Sequence, residues 1–169
     1  MYRYTFLIFL TIFLSGTGFV SAQTAEEYEA NYAKRIQQEM IYGVYIPADL
    51  DDAHNELSRL ADPKGLASFK SSPEDSISRK LHFGFGRWIL LNWGLEEGSR
   101  ISHHLKSKGI SFPDDMVRVI IVTWHRKLND RPLLLDEEIK KAEMRMKAEK
   151  ARRDKDKEVI LLEKRPHKE

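Results

Sequence analysis

Apolar residues in this chain recur at the spacing of an α-helix, and capping signals divide the pattern into short segments. The first segment opens with Thr24 and Glu27, which match a capping box. An apolar residue then follows at every fourth position: Tyr28, Tyr32, Ile36 and Met40. No set of segments shows the alternation of half-buried strands. The pattern therefore predicts an all-α fold, a compact domain of about five to six helices.

Further helix starts follow the first one. Each is marked by a capping side chain or by a proline at the first helical position: Asp49, Asp62-Pro63, Ser72-Pro73, Ser99 and Pro113. The helix that Pro73 opens extends to about Asn92, and it is apolar on most of its circumference near its end. We therefore expect this helix at the centre of the fold.

Two details of these helices lead to expectations of their own. Gly84 and Gly86 resemble a phosphate-binding loop superficially, but no strand precedes them, and we expect them to allow close helix packing instead. His125 and Arg126 lie near the end of the last helix of the domain. Cations at this position complement the negative end of the helix dipole.

The first 22 residues have the parts of a cleavable secretory signal. Arg3 gives a short n-region one charge, residues 5–20 form a run without any charge, and Val20-Ser21-Ala22 supplies small residues before a cut. We expect cleavage after Ala22, export to the periplasm or the medium, and no stable membrane insertion afterwards. An uncleaved N-terminal anchor is the alternative that the weak n-region leaves open.

The composition excludes several classes of protein. The chain has no cysteine, which rules out disulfides, thiolate metal sites and the lipid anchor of a bacterial lipoprotein. Loss of Arg3 with the signal leaves 27 Lys and Arg against 26 Asp and Glu, a net charge of +1. Nucleic-acid-binding proteins usually show a clear basic excess. We therefore expect no nucleic-acid partner, no metal and no cofactor.

The composition changes abruptly at Asp136. Residues 136–169 contain 12 Lys and Arg and 10 Asp and Glu, and several acids precede a base by four residues, the order that stabilises a helix. We expect a charged, solvated helix to about Lys157, while the apolar run from Val159 to Leu162 remains unexplained. The chain thus divides into a signal peptide, a helical domain and a charged helical tail: residues 1–22, 23–135 and 136–169.

The densest polar cluster lies between two helices, at residues 92–104. A loop between helices is a common place for binding residues. As a binding surface the cluster would use Trp93 as an aromatic anchor, Arg100 as a donor to a carboxylate or phosphate, and the helix start at Ser99. The alternative is a tight connection between helices, with Trp93 in the core and Ser99 as an N-cap.

The same cluster contains the weak candidates for catalysis: Glu96, Glu97, His103 and His104. A carboxylate and an imidazole can provide general acid–base catalysis when burial moves the carboxyl pKa toward neutrality. The two histidines are adjacent on a helix, so their side chains point about 100° apart. The cluster therefore does not predict a metal site.

The middle of the chain resembles a known family. The residues that carry the resemblance are, in chain order, Ile46-Pro47, Asp49-Leu50, Leu81 to Ile89, Asn92 to Leu95, Gly98 to Arg100, Gly109-Ile110, Pro113 to Met116, His125-Arg126 and Leu128-Asn129. Together they are similar to an uncharacterised family of small bacterial domains of unknown function, over residues 44–130. Glu96-Glu97 depart from the family pattern, which favours an aromatic residue and a glycine there. The resemblance implies domain limits and no catalytic residue.

These observations lead to one functional hypothesis and two alternatives. We expect an exported, non-enzymatic protein-interaction module of the bacterial envelope, with an unknown protein partner. One alternative is a small periplasmic hydrolase that uses Glu96 or Glu97 with His103 or His104. Such an enzyme needs these side chains within hydrogen-bond reach of each other in a cleft. The other alternative is an immunity or inhibitor protein, which differs from the first hypothesis in its target.

N-terminal sequencing of the exported protein tests the signal. We expect the mature chain to begin at Gln23, because the small residues that signal peptidases require precede that position. The cytoplasmic precursor, which begins at Met1, is the reference in the same experiment. An exported chain that still begins at Met1 would contradict the cleavage.

Overall fold

The computed structural model describes residues 24–163, except the side chains of residues 78–83 and 158–163. The fold is all-α, as predicted, and the predicted signal peptide lies outside the described residues. The elements in chain order are α1 Ala25–Arg35, β1 Met40–Ile41, β2 Val44–Tyr45, α2 Leu50–Leu60, α3 Pro63–Ser71, α4 Glu74–Leu81, a π-helical turn His82–Gly86, α5 Arg87–Asn92, α6 Arg100–Ser107, α7 Pro113–Leu128 and α8 Leu135–Glu163.

Capping side chains begin several helices where the sequence predicts them. Thr24 and Glu27 form the reciprocal capping box of α1. The side chains of Asp49 and Asp62 accept backbone N–H groups in the first turns of α2 and α3. These bonds satisfy donors that a helix N-terminus otherwise leaves open.

Helix α7 is the centre of the fold. Its buried residues occupy all faces between Asp115 and Arg126, and α2 to α6 and α8 pack around it. The expectation that the helix opened by Pro73 is central is wrong. That helix, which comprises α4, the π-helical turn and α5, leaves Leu91 58% exposed. A helix that is apolar on every face must be surrounded, and α7 has that character over a longer stretch.

The π-helical turn between α4 and α5 contains both glycines of the sequence Gly84-Phe85-Gly86. Gly84 is exposed, and a Cβ built on it would meet no atom within 4 Å. The expectation that Gly84 allows close helix packing is therefore wrong, although Gly86 is buried. In this turn the backbone hydrogen bonds join residues that are five apart instead of four. Such π-helical turns usually occur singly within α-helices.

A buried ion-pair network joins α4, α7 and α8. The guanidinium of Arg126 on α7, which is 5% exposed, contacts Glu74 of α4 and Glu138 of α8. Its Nε donates to Glu74 Oε1 at 3.0 Å, and its Nη1 donates to the Leu133 carbonyl at 2.7 Å. Arg131 makes a further contact with Glu74. The hydrogen bond from Arg126 holds the pKa of the Glu74 carboxyl below its ordinary value.

The first turns of α8 belong to the core. Glu138 and Ala142 are buried, so the expectation of a solvated helix is wrong for this part of the tail. Pairing with Arg126 and Lys141 is the reason, because the two cations compensate a carboxylate that leaves water. Residues 150–157 are exposed, as a solvated helix requires. The helix ends at Glu163, beyond the predicted end.

His54 on α2 is a second buried polar residue beside α7. Its Nε2 lies 2.9 Å from Thr123 Oγ1. Burial lowers the pKa of His54 to about 4, because the charged imidazole loses its hydration. The ring is therefore neutral at neutral pH and serves as a core residue with one hydrogen-bond partner.

Arg126→Ala tests the ion-pair network. The substitution leaves the carboxylates of Glu74 and Glu138 without the guanidinium, so we expect the free energy of unfolding to fall by about 3 to 5 kcal/mol. Urea denaturation of residues 23–169, followed by far-ultraviolet circular dichroism, measures this change.

Arg152→Ala is the matched control for that experiment. Arg152 is 70% exposed and pairs with Glu149 one turn away, so its removal is expected to cost less than about 1 kcal/mol. Equal losses in the two variants would contradict a special role for the buried network.

Candidate functional site

Trp93 lies in the core and does not form an exposed anchor. Its side chain is fully buried, and its ring meets that of Trp88 edge to face, with the centroids 6.2 Å apart. Gly94 follows with a φ of +57°, the left-handed conformation that commonly ends a helix. The expectation that Trp93 contacts a partner is therefore corrected, and the connection between helices is the arrangement observed.

Ser99 and Arg100, the other two predicted binding residues, also make internal contacts. The Ser99 side chain and Ser102 form a reciprocal capping box at the start of α6. Arg100 Nε donates to the carbonyl of Ile46 at 2.7 Å, and its Nη1 lies 3.2 Å from Glu39 Oε1. Arg100 therefore holds the segment before α2 in place, with its Nε and Nη1 donating to other groups of the protein.

The candidate catalytic residues are not brought together. Glu96 and Glu97 are exposed, and Glu97 pairs with Arg35 of α1 at 2.7 Å. His103 contacts a tyrosine of α1, while burial lowers the pKa of His104. Within residues 24–157 no hydrogen bond or ion pair joins either glutamate to either histidine. A general acid needs a buried carboxyl, and neither glutamate has that environment.

A groove of about 560 Å³ lies between α1, the hairpin and the loop before α6. Three tyrosines, two amides, two cations and one carboxylate line it: Tyr28, Tyr32, Tyr42, Asn31, Gln38, Lys34, Arg35 and Glu97. We call it the tyrosine groove. No residue of α1 is buried, although a surface helix normally buries one face in the core. The face of α1 that would normally be buried in the core instead forms one wall of the open groove.

Tyr32 and Arg35 hold α1 against the loop before α6. Arg35 Nε donates to the Gly98 carbonyl at 2.9 Å, and the Tyr32 hydroxyl lies 3.2 Å from His103 Nδ1. Lys106 Nζ lies 5.0 Å from the centroid of the Tyr32 ring. A Cβ on Gly98 would lie 2.4 Å from that ring, so the close approach requires glycine. Burial raises the pKa of Tyr32.

Tyr42 forms part of the other wall, at the tip of the β1–β2 hairpin. The strands are antiparallel, and Tyr42 and Gly43 are the two residues that connect them. Tyr42 has a φ of +50° and is 91% exposed. Asn-Gly is the favoured sequence for such a two-residue turn, and a bulky residue in the left-handed region is an outlier. The chain therefore places an aromatic ring in solvent at a conformational cost.

A second cavity, of about 330 Å³, is apolar. Its lining comes from α2, α3, the π-helical turn and α7: Leu60, Ala61, Asp62, Gly65, Leu66, Phe69, Phe85 and Trp124. The rings of Phe69 and Trp124 stack with their centroids 4.5 Å apart. The single carboxylate, that of Asp62, already accepts the Gly65 N–H as a helix cap. Asp62 is therefore the only charged side chain in the lining of this apolar cavity.

Among the described residues, no group of three or more His, Asp or Glu side chains is placed to hold a metal ion. In the same part of the chain, every helix is too short or too polar to cross a membrane.

Residues 46–128 match a family model described as Domain of unknown function (DUF6794). The match confirms the resemblance seen in the sequence. No curated protein and no solved structure gives a significant match to the chain. The matched segment begins directly after the hairpin and ends at the last residue of α7. Helix α1, Tyr42 and helix α8 therefore lie outside it.

The tyrosine groove was missed by the sequence analysis. Tyr28 and Tyr32 have the spacing of an apolar stripe, and the stripe predicts burial that the structure does not provide. Tyr42-Gly43 carries a usable signal, because a tyrosine takes the place of the asparagine that such a turn favours. This signal can be used only after the hairpin itself is recognised.

Gly98→Ala should release α1 from the domain, because the added methyl group would overlap the Tyr32 ring. We expect faster hydrogen–deuterium exchange in residues 25–35 than in the unmodified chain, since loss of docking lowers the local opening free energy. Gly109→Ala is the matched control. Gly109 also has a positive φ, but a Cβ there would meet its nearest atom at 3.8 Å, an ordinary contact. Unchanged exchange in the Gly98 variant would contradict the docking.

Proposed function

Residues 46–128 belong to a family described as a domain of unknown function, so we propose a function from geometry: an exported, non-enzymatic protein-interaction module. The tyrosine groove is its contact surface, and the partner is a protein of the bacterial envelope. The observation that carries the proposal is Tyr42, an aromatic side chain that is 91% exposed and held at a φ of +50°. Strain of this kind is often found at functional sites.

The composition of the groove supports a protein partner. Tyrosine and arginine are enriched at the energetically important positions of interfaces. A tyrosine ring provides a large contact area and loses little conformational entropy, because it has two side-chain torsions. Three tyrosines and Arg35 meet in this groove, whereas the only charged side chain that lines the apolar cavity is Asp62, which already caps a helix.

The position of α1 in the chain supports export of the same surface. The helix is capped by Thr24, directly after the expected cleavage site at Ala22. After cleavage, α1 would be the first element of the mature protein and would carry most of the groove lining. The signal sequence and the interaction surface would thus adjoin each other, and export would present the groove to partners outside the cytoplasm.

The hydrolase alternative has less support than the interaction module. Its candidate carboxylates, those of Glu96 and Glu97, point to solvent, and Glu97 is paired with Arg35. Acid–base catalysis would need one of them buried beside His103 or His104. The immunity or inhibitor alternative uses the same kind of surface, so the identity of the captured partner decides between it and the general module.

Affinity capture from envelope extract tests the proposal with the mature chain and Tyr42→Asn. Asparagine adopts the left-handed conformation readily, so the hairpin should persist while the ring is lost. We expect binding of the captured protein to weaken at least about tenfold, or about 1.4 kcal/mol, because exposed tyrosines are frequent hot spots.

Leu91→Asn is the matched control for Tyr42→Asn. Leu91 is 58% exposed and lies on α5, outside the groove, so its replacement should leave capture unchanged. Capture that survives Tyr42→Asn and is lost with Leu91→Asn would place the contact surface elsewhere and contradict the proposal. Circular dichroism of both variants checks that each retains the helical fold.

A further inference from the structure

The hydrogen bond between His54 and Thr123 determines which ring nitrogen of His54 carries the hydrogen. His54 on α2 is 1% exposed, and its Nε2 lies 2.9 Å from Thr123 Oγ1 on α7. The Thr123 hydroxyl donates its single hydrogen to the Val119 carbonyl at 2.6 Å. The hydroxyl oxygen is therefore left to accept, so Nε2 of the neutral ring donates and Nδ1 carries no hydrogen.

The other ring nitrogen of His54 offers no place for a second hydrogen. Among the described residues, Nδ1 has no hydrogen-bond partner, although it is shielded from solvent. Protonation would create an N–H there without an acceptor, together with a positive charge in the core. Movement of the ring into water removes both penalties. A protonated His54 is therefore compatible with α2 only when α2 has moved away from α7.

The charged groups around the ring do not hold an imidazolium in place. Burial is the largest effect and opposes the charge, as does Lys127 of α7, whereas Asp51 and Asp49 of α2 favour it. Asp51 is already paired with Lys127, and Asp49 caps α2 by accepting the Asp52 N–H at 2.9 Å. The result is a pKa of His54 that falls from its ordinary value of 6.5 to about 4.

The hairpin that carries Tyr42 is bonded to α2 close to His54. The Tyr45 hydroxyl and the Ala48 N–H each donate to Asp52 Oδ2 at 2.8 Å. Asp52 lies two residues before His54 on the same helix. A displacement of α2 would therefore break these bonds or pull on them, and either result loosens the hairpin.

We propose that the contact between α2 and α7 is an acid-sensitive latch, which opens when His54 is protonated and loosens the hairpin together with α2. In the open state the ring takes up a proton from water at pH values where the closed site excludes it. Between pH 6.5 and about 4 the closed state therefore loses stability as the pH falls. The consequence for the tyrosine groove, control by the acidity outside the cytoplasm, rests on the proposed function.

Hydrogen–deuterium exchange of residues 23–169 tests the latch, with rates corrected for the intrinsic pH dependence of exchange. We expect protection in α2 and the hairpin to fall roughly fifty- to a hundredfold between about pH 7.5 and about pH 4.5. At the lower pH these segments should exchange at least about tenfold faster than α7, because the opening is local. Equal exchange in α2 and α7 at that pH would mean global unfolding and would overturn the latch.

His54→Gln removes the titrating group and keeps a side-chain amide that can donate to Thr123. The acid-induced fall in α2 protection should be at least about tenfold smaller in this variant than in the unmodified chain. Thr123→Ser is the matched control, since it alters the same contact but retains the imidazole and a hydroxyl. Its acid response should persist. An equal fall with and without the imidazole would overturn the proposal.

Nitrogen-15 NMR of the unmodified chain provides a second test that does not depend on the folding of a variant. We expect the His54 ring to be neutral, with its hydrogen on Nε2, as long as α2 remains protected from exchange. A ring that becomes protonated while α2 stays protected would overturn the latch. Neither measurement includes a partner, whereas the capture experiment for the proposed function does, so each proposal can fail without the other.

Discussion

The buried guanidinium of Arg126 constrains the arrangement of the helices around it. A charge with 5% exposure must be compensated by partners inside the protein, since the loss of its hydration is otherwise prohibitive. Glu74, Glu138 and the Leu133 carbonyl supply that compensation from α4, α8 and the segment between α7 and α8. This requirement fixes where α4 and α8 cross α7, and it makes the start of the charged tail part of the core.

The same residues explain which parts of the fold could be predicted. Capping is local, so Thr24 and Asp49 identify the starts of α1 and α2 from neighbouring residues. The burial of Glu138 depends on Arg126, twelve residues earlier, as well as on Lys141 within α8. From the periodicity of the sequence alone, Glu138 and Arg126 would both be expected at the surface. The pairing of distant charges therefore accounts for the error about the solvated tail.

The candidate site was predicted less well than the fold, for a related reason. Trp93, Ser99 and Arg100 are residue types that suit a binding loop and a tight helix connection equally, and only the three-dimensional contacts distinguish the two. Tyr28 has the spacing of an apolar stripe, but the domain surface does not come close enough to bury it. The strain at Tyr42 is a backbone property that residue type alone does not reveal.

We propose that the functional surface lies where α1 and the strained hairpin meet the domain, with Gly98 as the point of contact for α1. The direct test is photocrosslinking of the full chain in bacterial cells, with a photoreactive phenylalanine analogue at position 42 or at position 60. Leu60 is exposed at the rim of the apolar cavity and serves as the contrasting position. We expect a crosslinked partner from position 42 and none from position 60. A partner crosslinked from position 60 and not from position 42 would contradict this proposal.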